Sequence, residues 1–72
     1  MNRTDVTSSN IASIGYDEET RTLEIEFHSG DIYTYYPITL SGYNDLMNAA
    51  SIGSYFFKNI KGNPTITCTK ID

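Results

Sequence analysis

Hydrophobic and polar residues alternate strictly over residues 22–28. The apolar members of this stretch are every second residue, Leu23, Ile25 and Phe27. Because successive side chains of a β-strand point to opposite faces of a sheet, a period of two predicts a half-buried strand. An apolar segment over residues 11–17 precedes this strand, and a β-prone run rich in tyrosine follows it over residues 31–36, until Pro37 stops it. The first half of the chain therefore predicts a three-stranded antiparallel meander.

The turn between the second and third predicted strands, residues 28–30, decides which way the tyrosines of the third strand face. A three-residue loop, with Gly30 in the left-handed conformation, sets Tyr33 and Tyr35 beside the apolar residues of the second strand, at the rim of the core. A two-residue loop shifts the register and sets them opposite glutamates, on a polar face open to a ligand. That shorter loop needs a positive φ at Ser29, where asparagine or aspartate is preferred. The three-residue loop is the prediction, and the ligand face remains the alternative.

After the proline, the apolar spacing changes from two to that of a helix. Thr39 is a candidate N-cap for a helix with apolar residues at helical spacing over residues 40–50. A second short helix is predicted over residues 54–61, with Gly62 as its C-terminal stop. Residues 65–71 alternate again and predict a strand that closes the sheet edge or pairs with a neighbouring subunit. The order is β-β-β-α-α-β, an α+β domain with both helices on one face of the sheet.

The length of 72 residues allows one domain with a thin core. The single cysteine excludes an internal disulfide, and no Cys/His cluster predicts a zinc site. Because small domains without a disulfide or a structural metal often pair with a second copy, we expect a homo-oligomer. We expect residues 1–8 to be flexible. Residues 63–72 should form an extended segment that stays with its own chain or is exchanged with another subunit.

Location and partners are limited by hydropathy and charge. No stretch approaches the roughly 18 apolar residues of a membrane span. The N-terminal residues are polar and lack the apolar run of a signal peptide. We therefore expect a cytoplasmic protein without a membrane partner. Five Lys/Arg against nine Asp/Glu give a net charge of −4, which argues against duplex DNA as a partner. Three of the basic residues, Lys58, Lys61 and Lys70, lie in the last fifteen positions. This local basic strip suits one or two phosphates.

Four short motifs point to one family of small domains. They are S-S-N-I at residues 8–11, L-E-I-E-F at 23–27, Y-T-Y at 33–35 and G-S-Y-F at 53–56. With them, residues 7–61 resemble the KTSC domain, named for the C-terminus of some lysyl-tRNA synthetases and also found as small stand-alone proteins of bacteria and their viruses. The resemblance implies a KTSC-like α+β domain over residues 9–62. It also implies RNA binding, which has been suggested for the family because of its occurrence in synthetases.

Two positions depart from the family pattern. Phe57 stands where family members often carry a polar residue, and Asn59 stands where they often carry a histidine. A ligand or reaction that used this histidine would differ here. Residues 65–72 also extend beyond the usual end of the family.

The first candidate site residues are Tyr33 and Tyr35. Stacking on such rings contributes about 1–3 kcal/mol per base in single-stranded nucleic-acid sites. The alternative is that both rings pack on the core with their hydroxyls at the rim. Arg21 is a candidate phosphate clamp at the hairpin edge, or else pairs with the nearby carboxylates at little net gain.

The second candidate cluster lies on the second predicted helix and consists of Ser54, Tyr55, Phe57, Lys58, Asn59 and Lys61. Three consecutive aromatic residues, 55–57, span about 200° of a helix, so they cannot all enter one thin core. Phe56 and Ile60, four residues apart, are the expected core pair of this helix, which leaves at least one ring beside Phe56 for a subunit interface or a ligand ring. Lys58 and Lys61, one helical turn apart, can meet one phosphate near the helix start.

A chain with one histidine and no nucleophile–base pair in sequence predicts no catalysis, and no cofactor or metal is expected. The first hypothesis is an oligomeric binding module for a nucleotide-type ligand: a small phosphorylated or cyclic nucleotide, or single-stranded RNA. A phage copy in the host cytoplasm would then sequester a host signalling nucleotide. The alternative is a protein–protein interaction domain that uses its exposed aromatic surface.

Overall fold

The structure of the protein, a computed structural model, describes residues 2–72. These residues form five strands and two helices in the order β1 (Arg3–Asp5), β2 (Ile11–Asp17), β3 (Thr22–Phe27), β4 (Ile32–Tyr36), α1 (Leu40–Met47), α2 (Ile52–Asn59) and β5 (Thr67–Lys70). The strands join one antiparallel sheet in the order β1-β2-β3-β4-β5. The predicted α+β class, with a meander followed by two helices and a last strand, is confirmed.

The first strand, β1, is an addition to the predicted order. It pairs with β2 through Thr4 opposite Ile14, and the Arg3 guanidinium lies 3.1 Å from the Glu24 carboxylate of β3. The sequence predicts a flexible segment over residues 1–8; Met1 lies outside the described residues, and residues 3–5 form a paired strand. The three residues of β1 are all exposed and are too few to show a period of two. No local pattern therefore predicts this strand.

The turn between β3 and β4 is the predicted three-residue loop. Gly30 has a φ of 96°, and its N–H donates to the carbonyl oxygen of the last residue of β3 at 2.9 Å. The register pairs Tyr33 with Ile25 and Tyr35 with Leu23. Because paired residues share a face of the sheet, both tyrosines lie on the core face, as predicted.

Both helices begin at a hydroxyl cap. Thr39 caps α1, as predicted, because its Oγ1 accepts the N–H of Gly42 at 3.0 Å. The second helix starts at Ile52, where the Ser51 Oγ accepts the N–H of Ser54 at 3.3 Å. The predicted bounds of this helix, 54–61, are wrong by two residues at each end. Ser51 is a cap rather than part of the connection between the helices.

A single core lies between the two helices and one face of the sheet. Its buried apolar residues are Ile11, Ile14, Leu23, Ile25, Tyr35, Ile38, Leu46, Phe56 and Ile60. Phe56 is fully buried and Ile60 is 4% exposed, so the predicted core pair of the second helix is confirmed. Phe57 is 45% exposed and Tyr55 is half-buried, which confirms that the three consecutive rings do not share the core.

Candidate functional site

An open groove lies where the helical layer ends above the sheet. All four residues of β5 are exposed, whereas α2 covers the neighbouring part of the sheet with Phe56 and Ile60. The space between β5 and α2 has a volume of about 580 Å³. We call it the aromatic groove and define it by Phe27, Tyr33, Tyr35, Phe57, Ile60 and Cys68.

The rings around this groove form a continuous series of contacts. Phe27 meets Tyr33 edge to face with 5.8 Å between ring centroids, and Tyr33 lies 6.4 Å from Tyr35. Tyr35 then meets Phe56 edge to face at 5.2 Å, and Phe56 meets Phe57 at 5.5 Å. The series runs from half-buried Phe27 through the core to exposed Phe57, so the core itself holds the groove rings in place.

Lys61 supplies the positive charge at the helix side of the groove. Its Nζ lies 4.9 Å from the centroid of the Phe57 ring, within cation–π distance. The lysine and the ring are both exposed. A ligand ring beside Phe57 would therefore have an ammonium group within reach of an attached phosphate.

The opposite rim is formed by the β3–β4 turn. His28 is held there by a hydrogen bond of 2.9 Å between its Nε2 and the carbonyl oxygen of Ser8. Asp31 lies 3.5 Å from the Lys70 ammonium, and both side chains are about half exposed, which makes this a weak ion pair. The rim thus offers an imidazole and a carboxylate for polar contacts with a ligand.

Tyr35 connects the groove to the core. It is 4% exposed, and its pKa is raised above the ordinary value of 10.0, first because of burial and then because of the Cys68 thiol beside it. The phenol therefore stays neutral at physiological pH and can donate one hydrogen bond. Cys68 is opposite Tyr35 in the ladder between β4 and β5.

Four of the candidate residues named from the sequence come together in the groove: Tyr33, Tyr35, Phe57 and Lys61. Both tyrosines lie on the core face of the sheet, and both also line an open cavity. Packing on the core and contact with a ligand are therefore compatible for these two residues. Lys58 is exposed and lies outside the residues that line this groove. The structure therefore does not bring Lys58 and Lys61 together around one cavity.

The remaining candidates lie elsewhere. Ser54 lines a polar pocket of about 250 Å³ at the start of α2, which borders the groove at Phe57. Tyr55 and Asn59 line a third cavity of about 190 Å³, where the Asn59 Nδ2 donates to the Tyr55 carbonyl at 3.1 Å. Arg21 lies in the β2–β3 turn with a φ of 55° and does not line the groove.

Sequence reasoning missed several groove residues, among them Phe27, His28, Ile60, Ile66 and Cys68. Their periods predict Phe27 and Ile60 as core residues, and the position of both at the edge of the core is a tertiary property. Cys68 shares a face with Tyr35 only because β5 pairs with β4. The alternation of residues 65–71 was the available signal, since it sets Cys68 and Ile66 on the same face of the strand.

Neither a metal cluster nor a membrane-spanning helix is found within residues 2–72. No group of three or more His, Cys, Asp or Glu side chains in this part of the chain is arranged to hold a metal ion. None of the helices described there is both long and apolar enough to cross a membrane.

Residues 7–63 match the profile of the KTSC domain, and the chain belongs to this family. A lysine–tRNA ligase of Nostoc punctiforme is 46% identical over 52 residues, which are 72% of this chain and 9% of the ligase. An uncharacterized protein of Stutzerimonas stutzeri is 39% identical over 56 residues, 78% of this chain and 79% of that protein. The chain thus spans less than a tenth of the ligase but most of the stand-alone relative.

The crystal structure of a KTSC domain protein from Yersinia pestis has the same fold. It superimposes with a TM-score of 0.92 at 39% identity, over 99% of this chain and 97% of that one. The similarity of structure therefore extends past residue 63, where the family profile ends, and includes β5. Residues 65–72, noted above as an extension of the family, are part of a fold that this relative shares.

Proposed function

We propose that the protein is a non-catalytic, homo-oligomeric binding module whose aromatic groove holds a nucleotide-type ligand, either a small phosphorylated nucleotide or single-stranded RNA. The observation that carries the proposal is the juxtaposition of Tyr33, Phe57 and Lys61 around one open cavity. A flat ring would contact Phe57 or Tyr33, and its phosphate would meet the Lys61 ammonium.

The size of the groove supports a ligand of this class. Its volume of about 580 Å³ lies inside the roughly 300–1,000 Å³ typical of small-molecule sites. The groove combines aromatic rings with a few polar groups at its rim. This combination suits a base better than an aliphatic chain, because an aliphatic chain offers no partner to the hydrogen-bonding groups. Base–aromatic stacking tolerates any base, so the groove by itself selects the class rather than the sequence.

The relatives favour RNA among the nucleotide-type ligands. One of them is named as a lysine–tRNA ligase, and the matched residues occupy 9% of that protein. A small domain joined to such an enzyme would act by holding part of an RNA. In a stand-alone copy encoded by a phage, the same groove would sequester a host signalling nucleotide.

The non-catalytic part of the proposal rests on the groove's hydrogen bonds. Within the described part of the chain, the His28 ring bonds to the Ser8 carbonyl, and no hydrogen bond joins it to Ser29 or Cys68. Nucleophilic catalysis needs a base within reach of the nucleophile and a third group that orients the base.

Ligand binding is tested by thermal shift with mono-, di- and cyclic nucleotides and with short single-stranded RNA. Binding to the native state raises Tm. The test compares the wild type with Phe57→Ala and with Leu40→Ala, a matched control because both side chains are 45% exposed and Leu40 does not line the groove. We expect Phe57→Ala to weaken binding about 5- to 150-fold, the equivalent of losing one stacked base, and Leu40→Ala to leave it unchanged.

A protein–protein interaction domain is the second candidate, favoured by the exposure of Phe57 on the groove wall. If neither millimolar nucleotides nor RNA shift Tm, the nucleotide proposal is wrong. Capture of a partner by the wild type and by Leu40→Ala, but not by Phe57→Ala, would then support the second candidate.

A further inference from the structure

The two edges of the sheet in residues 2–72 differ in how they are protected. β1 has three residues, two of which are charged, and short charged edges resist pairing with other strands. β5 carries the sequence T-C-T-K, with Lys70 as its single charge, and all its side chains are exposed. β-branched threonines favour strand pairing, so β5 is the less protected edge.

The main chain of β5 has unpaired groups on its outer side. The N–H of Ile71 donates to the Ile32 carbonyl of β4 at 2.8 Å, and Thr34 Oγ1 lies 3.5 Å from the Thr69 carbonyl oxygen. Residues 69 and 71 therefore direct their main-chain groups to β4. Because alternate residues of a strand direct these groups to opposite sides, Cys68 and Lys70 direct theirs outward. Among residues 2–72, no strand lies on that side.

We propose that this edge pairs with the β5 edge of a second copy of the chain, antiparallel and around a two-fold axis, so that the two sheets become continuous. A two-fold contact uses the same surface on both copies and closes at two subunits, whereas β5 against β1 would be head to tail and would not close at two. With the axis at Cys68 or Thr69, Lys70 lies opposite Ile66 or Cys68 of the other copy. In either of these two registers the two lysines do not face each other.

Charge favours this edge over other parts of the surface. The chain has a net charge of −4, but residues 63–72 contain only Lys70 and Asp72, whose charges cancel. Lys70 also lies 3.5 Å from the Asp31 carboxylate of its own chain. Two copies that meet at β5 therefore bring together a neutral part of an acidic protein.

The pairing would also complete the aromatic groove. Ile66 and Cys68 line the groove next to the free edge, so its β5 side is open. A two-fold axis perpendicular to the sheet keeps the grooves of both copies on the same face and sets them side by side. This inference deepens the oligomeric part of the proposed function and does not depend on the ligand.

The test compares the oligomeric mass of the wild type, Cys68→Ala and Cys68→Pro by sedimentation over a range of concentrations. Proline removes one outward N–H and is tolerated on an edge strand whose N–H faces solvent, while alanine removes only the thiol. We expect twice the chain mass of 8.1 kDa for the wild type and Cys68→Ala, and a folded monomer for Cys68→Pro. Lys70→Pro, with Lys70→Ala as its control, replaces this pair if Cys68→Pro does not fold.

Amide hydrogen exchange of the wild type gives an independent readout. The amides of Cys68 and Lys70 should gain protection as concentration rises, while those of Thr69 and Ile71 stay protected throughout because they bond within the chain. A folded Cys68→Pro dimer, or exchange at Cys68 and Lys70 that does not depend on concentration, would overturn the β5 interface alone. A wild type that stays monomeric would overturn the interface together with the oligomer of the proposed function. Nucleotide binding to the same samples tests the ligand separately.

Discussion

At the scale of single residues, adjacent side chains of α2 have opposite roles. Phe56 is fully buried against Tyr35, while Phe57 is 45% exposed on the groove wall. A helix turns about 100° per residue, so the three consecutive rings at residues 55–57 span about 200° and cannot all face the core. Truncation of a buried phenylalanine costs about 3–5 kcal/mol, which makes Phe56 a stability residue, whereas the exposed ring is available to a ligand.

Lys61 and Lys58 form a matched pair for testing the phosphate contact. Both are exposed lysines near the end of α2, but only Lys61 lines the groove and contacts Phe57. We expect Lys61→Ala to weaken RNA binding and to flatten its salt dependence by about 0.7 in the slope of log K against log salt, the value for one phosphate of a single strand. Lys58→Ala should leave affinity and slope unchanged. Fluorescence anisotropy at several salt concentrations measures both, and equal effects of the two variants would contradict the assignment.

Tyr35 makes stability fall at alkaline pH. Its pKa is raised above 10.0 in the folded protein, chiefly by burial, so above about pH 10 the unfolded chain loses a proton that the native state keeps. Native Tyr35 thus contributes stability below pH 10 that is lost as pH rises toward its folded pKa. Urea unfolding between pH 8 and 11 should show a smaller loss in Tyr35→Phe than in the wild type.

Cys68→Ala is the control for the cause of this shift. Because burial is the larger cause and the thiol the smaller, this variant should retain most of the alkaline loss. A loss as small as that of Tyr35→Phe would assign the shift to the thiol instead.

At the scale of elements, hydroxyl caps and one glycine turn fix the boundaries that position the groove. Gly30, at a φ of 96°, sets the β3–β4 register and with it the face on which Tyr33 and Tyr35 lie. Ser51 sets the start of α2, and so the rotation that directs Phe56 into the core and Phe57 out of it.

The start of α2 can be tested with two serines. Ser51 Oγ accepts the N–H of Ser54, so Ser51→Ala should lower the free energy of unfolding by about 0.5–2 kcal/mol. Ser54→Ala keeps this bond, since Ser54 contributes only its main-chain N–H, and alanine is a better helix former than serine inside a helix. Denaturant unfolding of both variants measures the difference. A larger loss of unfolding free energy for Ser54→Ala would indicate that α2 begins at Ser54, as the sequence pattern predicts.

At the scale of the whole molecule, net charge limits what the groove can recognise. A chain of −4 with one lysine on the groove cannot release the many counterions that drive duplex binding. We therefore expect no measurable affinity for duplex DNA at physiological salt under conditions where single-stranded RNA binds. Anisotropy with a labelled duplex and the matching single strand compares the two, and equal affinity would contradict an aromatic stacking site.

Most of the elements and part of the core follow from the sequence alone. Periods of two and of 3.6 are local properties, and they correctly predicted β2 to β5, both helices, the buried pair Phe56 and Ile60, and the exposure of a neighbouring ring. The turn at residues 28–30 favoured the observed register of Tyr33 and Tyr35 over that of a two-residue loop. The same local patterns missed β1, which is too short to show a period, and placed α2 two residues late.

Which residues share a cavity depends on tertiary packing. Tyr35 and Cys68 are 33 positions apart and meet because β5 pairs with β4, and Phe57 faces them because α2 ends short of that last strand. For the same reason Lys61 lies on the groove, while Lys58 and Arg21 lie away from it. Proximity across a sheet depends on how elements pack, and no local period of the chain records that packing.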